Sequence, residues 1–246
     1  MTSQPRILLA REPEWLDRAM TELVPGDFEG CDAVVHLAAH SANVPYDSME
    51  SCVLHNVLEP IRLFRAGIAA GIRRFVVAGS CFEYGRSCDR YEQVPTDAPL
   101  EPTNRYAASK AAASAVFSAL AAEENIELVL LRIFQVYGEG ELETRFWPTL
   151  RRRALAGEDM PMSAGLQVRD FVPVETVAQS FIKAVERGDV QPGIPMVENV
   201  GSGRARTLAE FAAEEWKRFG ATGRLALSEV PMRPGEVMRI VPFLNP

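Results

Sequence analysis

No apolar run in the chain approaches the roughly 20 residues that a membrane-spanning helix needs, so no membrane partner is expected. The opening residues, Met1 to Pro5 and then Arg6, set no charged leader before an apolar stretch, and the chain reads as a soluble, unexported protein of the cytoplasm. Cysteine is scarce. Cys31, Cys52, Cys81 and Cys88 are scattered without a C-x-x-C or Cys/His spacing, which argues against a disulfide framework and a metal site and for buried thiols in a reducing compartment. Basic side chains are outnumbered, 26 against 33 acidic, for a formal charge of −7. Nucleic acid is therefore excluded as a general partner, because that affinity comes from many Lys and Arg neutralising phosphates, while local arginine sites stay open. Repeats, low-complexity tracts and flexible linkers are also missing, so any second lobe must be woven from insertions.

What remains is an ordinary globular composition, 246 residues with 47% apolar and 24% charged side chains. A chain of this mass buries roughly 70% of its unfolded surface, enough for one well-packed domain with a small lobe. Short β-rich apolar runs at 6–10, 33–39, 74–79, 128–133 and 196–200 alternate with helical stretches at 13–23, 51–70, 104–124, 146–156, 175–187 and 207–219. That alternation predicts an α/β fold, a Rossmann-like parallel sheet flanked by helices, with the site at the C-terminal ends of the strands. The expected cofactor and catalytic core spans 1–138 and 169–187, and the small, largely C-terminal substrate lobe spans 139–168 and 188–246.

The strongest local signal is Tyr106-Ala-Ala-Ser-Lys110 at the start of a predicted helix. A spacing of four puts phenol and ammonium on one face, where Lys110 would favour the phenolate and make Tyr106 an acid/base. Alone, that spacing is common on solvated helices. Upstream, Phe75-Val-Val-Ala-Gly-Ser80-Cys-Phe-Glu-Tyr84-Gly85 reads as a buried strand entering a turn, with Ser80 either capping that turn or aiming its hydroxyl at a substrate oxygen.

Together these residues resemble the extended short-chain dehydrogenase/reductase family, the NAD-dependent epimerases, dehydratases and reductases of nucleotide sugars. The resemblance runs from about Gly30 to Arg239. Ser80, Tyr106 and Lys110 fall on the family's catalytic triad in type and spacing. Cys31-Asp-Ala-Val-Val-His36-Leu-Ala38-Ala39 resembles the strand whose end passes the cofactor, and leaves His36 in the core. Asn56-Val57 resembles a structural asparagine, and Arg132-Ile133-Phe-Gln135-Val-Tyr137-Gly138 resembles R-x-x-N-V-Y-G with Gln135 where Asn is usual. Arg169-Asp-Phe, Asn199-Val-Gly-Ser-Gly203 and Arg233-Pro-Gly-Glu236 follow in family order. The resemblance implies NAD or NADP contacts at Ala38, Ala39, Tyr106, Lys110 and Ile133. It also implies a nucleotide-diphosphate sugar held by Cys81, Gln135, Arg169 and Arg233, and a homodimer seamed by the Ala-rich helix at 104–124 and the helix at 51–70. Forked guanidinium donors at Arg169 and Arg233 suit a diphosphate. Arg151-Arg-Arg153 points three ways around a helix and reads as a solvated face.

The family's glycine-rich turn, which cradles the pyrophosphate, has no counterpart here: the run at 6–10 leads into Arg11-Glu12-Pro13-Glu14-Trp15, and the sheet is expected to be N-terminally truncated. Four readings follow. The preferred one is an epimerase or ketoreductase working by hydride transfer at a ring carbon, C4 first, because Ser80, Tyr106 and Lys110 stand together. A cofactor-free keto-sugar isomerase or epimerase is the second, a degenerate sugar-nucleotide-binding homologue the third, and a chain lacking residues of the natural protein the fourth. A 4,6-dehydratase is disfavoured, since Cys81 and Phe82 stand where family dehydratases carry an acidic pair.

Overall fold

The computed structural model describes residues 13–232 and 235–244. In chain order the elements are β1 (Ala33–His36), α1 (Met49–Val53), α2 (Glu59–Ala69), β2 (Arg74–Ser80), α3 (Arg105–Glu124), β3 (Glu127–Ile133) and β4 (Gln135–Tyr137). They continue with α4 (Phe146–Ala156), β5 (Met160–Pro161), β6 (Val168–Pro173), α5 (Val174–Glu186), β7 (Met196–Val200), β8 (Ala205–Thr207), α6 (Leu208–Arg218), β9 (Leu225–Ala226) and β10 (Arg239–Ile240). A π-helical turn, Leu54–Leu58, joins α1 to α2 without a break.

The main sheet is parallel throughout, in the order β1-β2-β3-β7. Its central strands, Arg-Phe-Val-Val-Ala-Gly-Ser and Glu-Leu-Val-Leu-Leu-Arg-Ile, are near-continuous apolar runs because both faces are covered. On one face α2 and α3 bring Phe64, Phe117 and Leu120 against Val34, Phe75, Val77, Leu128 and Leu130. On the other, Val177 and Phe181 of α5 pack on Val76, Val129 and Leu131. His36 stands edge-on to Phe64 and Phe117, and burial pulls its pKa down to about 4, so it is neutral at physiological pH. Cys52, Cys81 and Cys88 are buried and Cys31 is exposed.

A smaller layer is built on β6, which pairs in parallel with β4 and β10 and antiparallel with β8. There Phe171 stacks on Phe211 of α6 at 3.9 Å between ring centroids. α4 and α6 enclose a further core of Leu150, Met160, Met162, Ala212 and Trp216. β7 belongs to the parallel sheet by its ladder to β3, although the sequence assigned 188–246 to the substrate lobe.

The expected strand at 6–10 lies outside the described residues. The helix expected at 13–23 is not formed. Residues 13–19 are exposed and non-helical, followed by single 3₁₀ turns at Met20–Glu22 and Pro25–Phe28. Trp15 is 49% exposed. An amphipathic stretch of this length holds a helix only when its apolar face is packed along its length, and here Met20 and Leu23 rest against the core while residues 13–19 stay exposed. No helix among the described residues is long and apolar enough to cross a membrane.

Candidate active site

Ser80 is the last residue of β2, in register with Ile133 at the end of β3, which in turn faces Val200 of β7. Ala38 and Ala39, both exposed, follow β1 at the same end of the sheet. Parallel strands thus deliver these positions to one rim, where α/β sheets bind ligands. Ser80 caps the 3₁₀ turn Cys81–Glu83: its hydroxyl accepts from the Phe82 amide at 3.3 Å, and its own amide donates to Glu83 Oε1 at 2.7 Å. Next comes Gly85, with φ at +51°, where an added Cβ would lie 1.9 Å from the Glu101 carbonyl oxygen, so only glycine lets the two backbones meet.

α3 begins at an Asn104 cap, whose side chain accepts from the Ala107 amide at 2.9 Å. Tyr106 and Lys110 follow on one face, both buried. Burial pushes the Tyr106 phenol up to about 12; Cys81 and Glu83 add to the rise, while a hydrogen bond with Ser80 and the Arg145 guanidinium oppose it. Lys110 Nζ donates to the Ala78 carbonyl at 2.7 Å. Burial lowers the Lys110 ammonium and Glu83 holds it up. At pH 7 the site therefore presents a protonated phenol beside a serine hydroxyl, an arrangement suited to donating a proton to a developing alkoxide.

The structure sets Ser80 at the end of β2 near Tyr106 at the start of α3, close enough for the serine to oppose the rise of the phenol, and puts Lys110 one turn on. Cys81 is buried, and burial drives its thiol far above the ordinary range. Gln135 opens β4 opposite Phe171, half-buried. Arg169 lies within β6 rather than in a loop, and its NH2 donates to Glu236 Oε1 at 3.1 Å and to the Val237 carbonyl at 2.7 Å. Arg233 lies outside the described residues. Arg151, Arg152 and Arg153 make surface ion pairs with Glu139 and Glu158. Asn56 sits in the π turn, where it exchanges hydrogen bonds with the His40 backbone and donates to Ser109 of α3 at 2.8 Å, tying the loop after β1 to the helix of Tyr106.

Sequence reasoning missed Glu83 and Arg145. Glu83 is completely buried, and its carboxylate accepts from the Ser80 amide, Ser114 Oγ at 2.7 Å and Arg132 Nε at 3.0 Å. Arg132 also donates to the Tyr84 hydroxyl, which donates to Asn199. The available signal was a charged residue inside a segment read as buried. Arg145, paired with Glu141 at 3.0 Å, left no such signal, because its charge acts on Tyr106 from a distant part of the chain, just ahead of α4.

A parallel sheet with helices on both faces and a serine, tyrosine and lysine at its C-terminal rim defines a Rossmann-like short-chain dehydrogenase/reductase class. The model of the NAD dependent epimerase/dehydratase family matches residues 10–201, and the chain belongs to that family. A trifunctional UDP-glucose 4,6-dehydratase/UDP-4-keto-6-deoxy-D-glucose 3,5-epimerase/UDP-4-keto-L-rhamnose-reductase of Arabidopsis thaliana is 27% identical over 84% of this chain and 31% of its own length. A UDP-glucose 4-epimerase of Corynebacterium glutamicum is 29% identical over 89% of this chain and 69% of its own. The structure of MoeE5 in complex with UDP-glucuronic acid and NAD superposes with a TM-score of 0.81 at 27% identity, covering 94% of this chain and 76% of that one. The chain spans about a third to just over half the length of several of the curated relatives it matches.

Proposed function

We propose that this protein is a nucleotide-sugar ketoreductase or epimerase acting at a ring carbon, C4 first, with NAD or NADP. The observation that carries this reading is the grouping of Ser80, Tyr106 and Lys110, all three buried, where the end of β2 meets the start of α3 at the rim of the parallel sheet. The donor set fits the nicotinamide-ribose end of a dinucleotide: Tyr106 and Lys110 offer a phenol and an ammonium, and Ala38, Ala39 and Ile133 line the strand ends with small or flat surfaces. The dinucleotide supplies the hydride chemistry when bound. Tyr106 Oη gives a proton to the substrate oxygen in reduction and takes it back in oxidation. Ser80 Oγ orients that oxygen, and Lys110 would hold the cofactor ribose. The matched proteins include dehydratases, but Cys81 and Phe82 after Ser80 supply no acid/base pair for eliminating water. A nucleotide-diphosphate sugar is the proposed substrate, with Arg169, Arg233, Gln135 and Cys81 around it, and a second copy of the chain is the proposed partner.

One observation favours a second reading, a cofactor-free keto-sugar isomerase. Among the described residues β1 is paired only with β2, and no described residue forms the glycine-rich turn that grips a dinucleotide. Titrating the protein with NADH or NADPH, by calorimetry and fluorescence transfer, separates the two. Binding strengthened by a sugar nucleotide supports the first; no binding of either, with or without a UDP-sugar, overturns it.

A further inference from the structure

We propose that Glu83 is the positioning residue of the site, whose carboxylate locks the strand end carrying Ser80 to the helix carrying Tyr106 and Lys110. This rests on the roles proposed above for those three residues.

Tyr106, Lys110 and Ser114 follow one another at intervals of four on α3, so they form one inward stripe, and all three are buried. The first two members face the chemistry. The third donates its hydroxyl to Glu83 Oε2 at 2.7 Å. The other carboxylate oxygen, Oε1, accepts the Ser80 amide at 2.7 Å. One side chain therefore bridges the two elements whose relative placement decides whether Ser80 and Tyr106 meet. Arg132 Nε, on the neighbouring strand β3, donates to Oε2 at 3.0 Å and is itself tied to Tyr84 and to the Thr96 carbonyl, so the bridge is anchored to the sheet.

The position permits little else. An added Cβ on Gly79 would stand 3.0 Å from Glu83 Oε1, so the strand passes the carboxylate at close range. A charged group this deeply buried is costly unless it is hydrogen-bonded, and Glu83 accepts from three donors on three different elements. Its charge also bears on the reacting groups, raising both Tyr106 and Lys110. Cys81 and Phe82 hold the two turn positions between Ser80 and Glu83, so the carboxylate reaches back under the turn instead of out toward a ligand.

Two variants test this. Glu83→Gln keeps the shape but loses the charge and leaves Arg132 uncompensated, so it risks folding; Ser114→Ala removes only the helix end of the bridge. Both are expected to lower kcat, Glu83→Gln by roughly a hundredfold and Ser114→Ala by roughly tenfold, with KM and calorimetric UDP-sugar affinity held within about twofold. The alkaline limb of the kcat profile moves to lower pH in Glu83→Gln and stays in place in Ser114→Ala, which carries no charge. Unchanged kcat and an unmoved limb in folded Glu83→Gln, or unchanged kcat in Ser114→Ala, would overturn the proposal. Should the wild type turn over no sugar nucleotide, the proposed function fails, and amide hydrogen exchange still decides on Glu83. Faster exchange at residues 80–84 in Ser114→Ala, with β3 unaltered, supports the bridge, and identical exchange refutes it.

Discussion

At the scale of single residues, a few buried polar groups dominate. Tyr106→Phe deletes the proton carrier while keeping its ring, so turnover is expected to vanish with the melting temperature nearly unchanged; retained activity would refute the assignment. Arg169→Ala should chiefly raise KM, the sign of lost binding rather than lost chemistry. His36 is a pH sensor for the fold. Its folded pKa, about 4, lies below the unfolded 6.5, so the unfolded chain binds the extra proton between those values, and stability is lost as pH falls through that window. Between pH 7 and pH 4.5 the loss is about 2 kcal/mol, and urea unfolding of His36→Leu should show that much less acid sensitivity. The sequence identified His36 as a core residue and Ser80, Tyr106 and Lys110 as a group. It did not reveal that Lys110 turns to the Ala78 carbonyl, because a four-residue spacing specifies a helix face and says nothing of which acceptor the side chain finds.

Among the elements, legibility followed burial. β2 and β3 stand out in the sequence because both their faces are covered, and α3 because an asparagine cap precedes a long alanine-rich run. β6 stayed hidden: Val-Arg-Asp-Phe-Val-Pro looks polar, yet Arg169 and Asp170 are buried, each answered by internal partners. Asp170 accepts the Ser202 and Gly203 amides at 2.7 and 2.8 Å, which fastens the turn after β7 to the second layer. The stretch at 13–23 carried the reverse lesson, a helical pattern whose first half stays exposed. On α3, Ala112, Ala115, Ala119 and Ala122 are exposed along one side, beside Leu54 and Leu58 at the π turn. If a second copy packs there, Ala115→Glu should convert a dimer to monomer by gel filtration with light scattering, at unchanged far-UV circular dichroism. Gly85→Ala belongs to the turn after β2: a Cβ driven into the Glu101 carbonyl at positive φ should cost about 3 kcal/mol in urea unfolding.

For the whole molecule, the rim of the sheet is equipped unevenly. Ser80 ends its middle strand β2, while β1 ends the described sheet with Leu37, just beyond it, 59% exposed. The spacing along α3 also has a mechanical side. Ser114 lies eight residues from Tyr106, roughly 12 Å along the helix axis. With the serine pinned at Glu83, the phenol rides at the tip of a lever, and a tilt of about 5° swings it by about 1 Å, the order of error that costs a catalyst a hundredfold in rate.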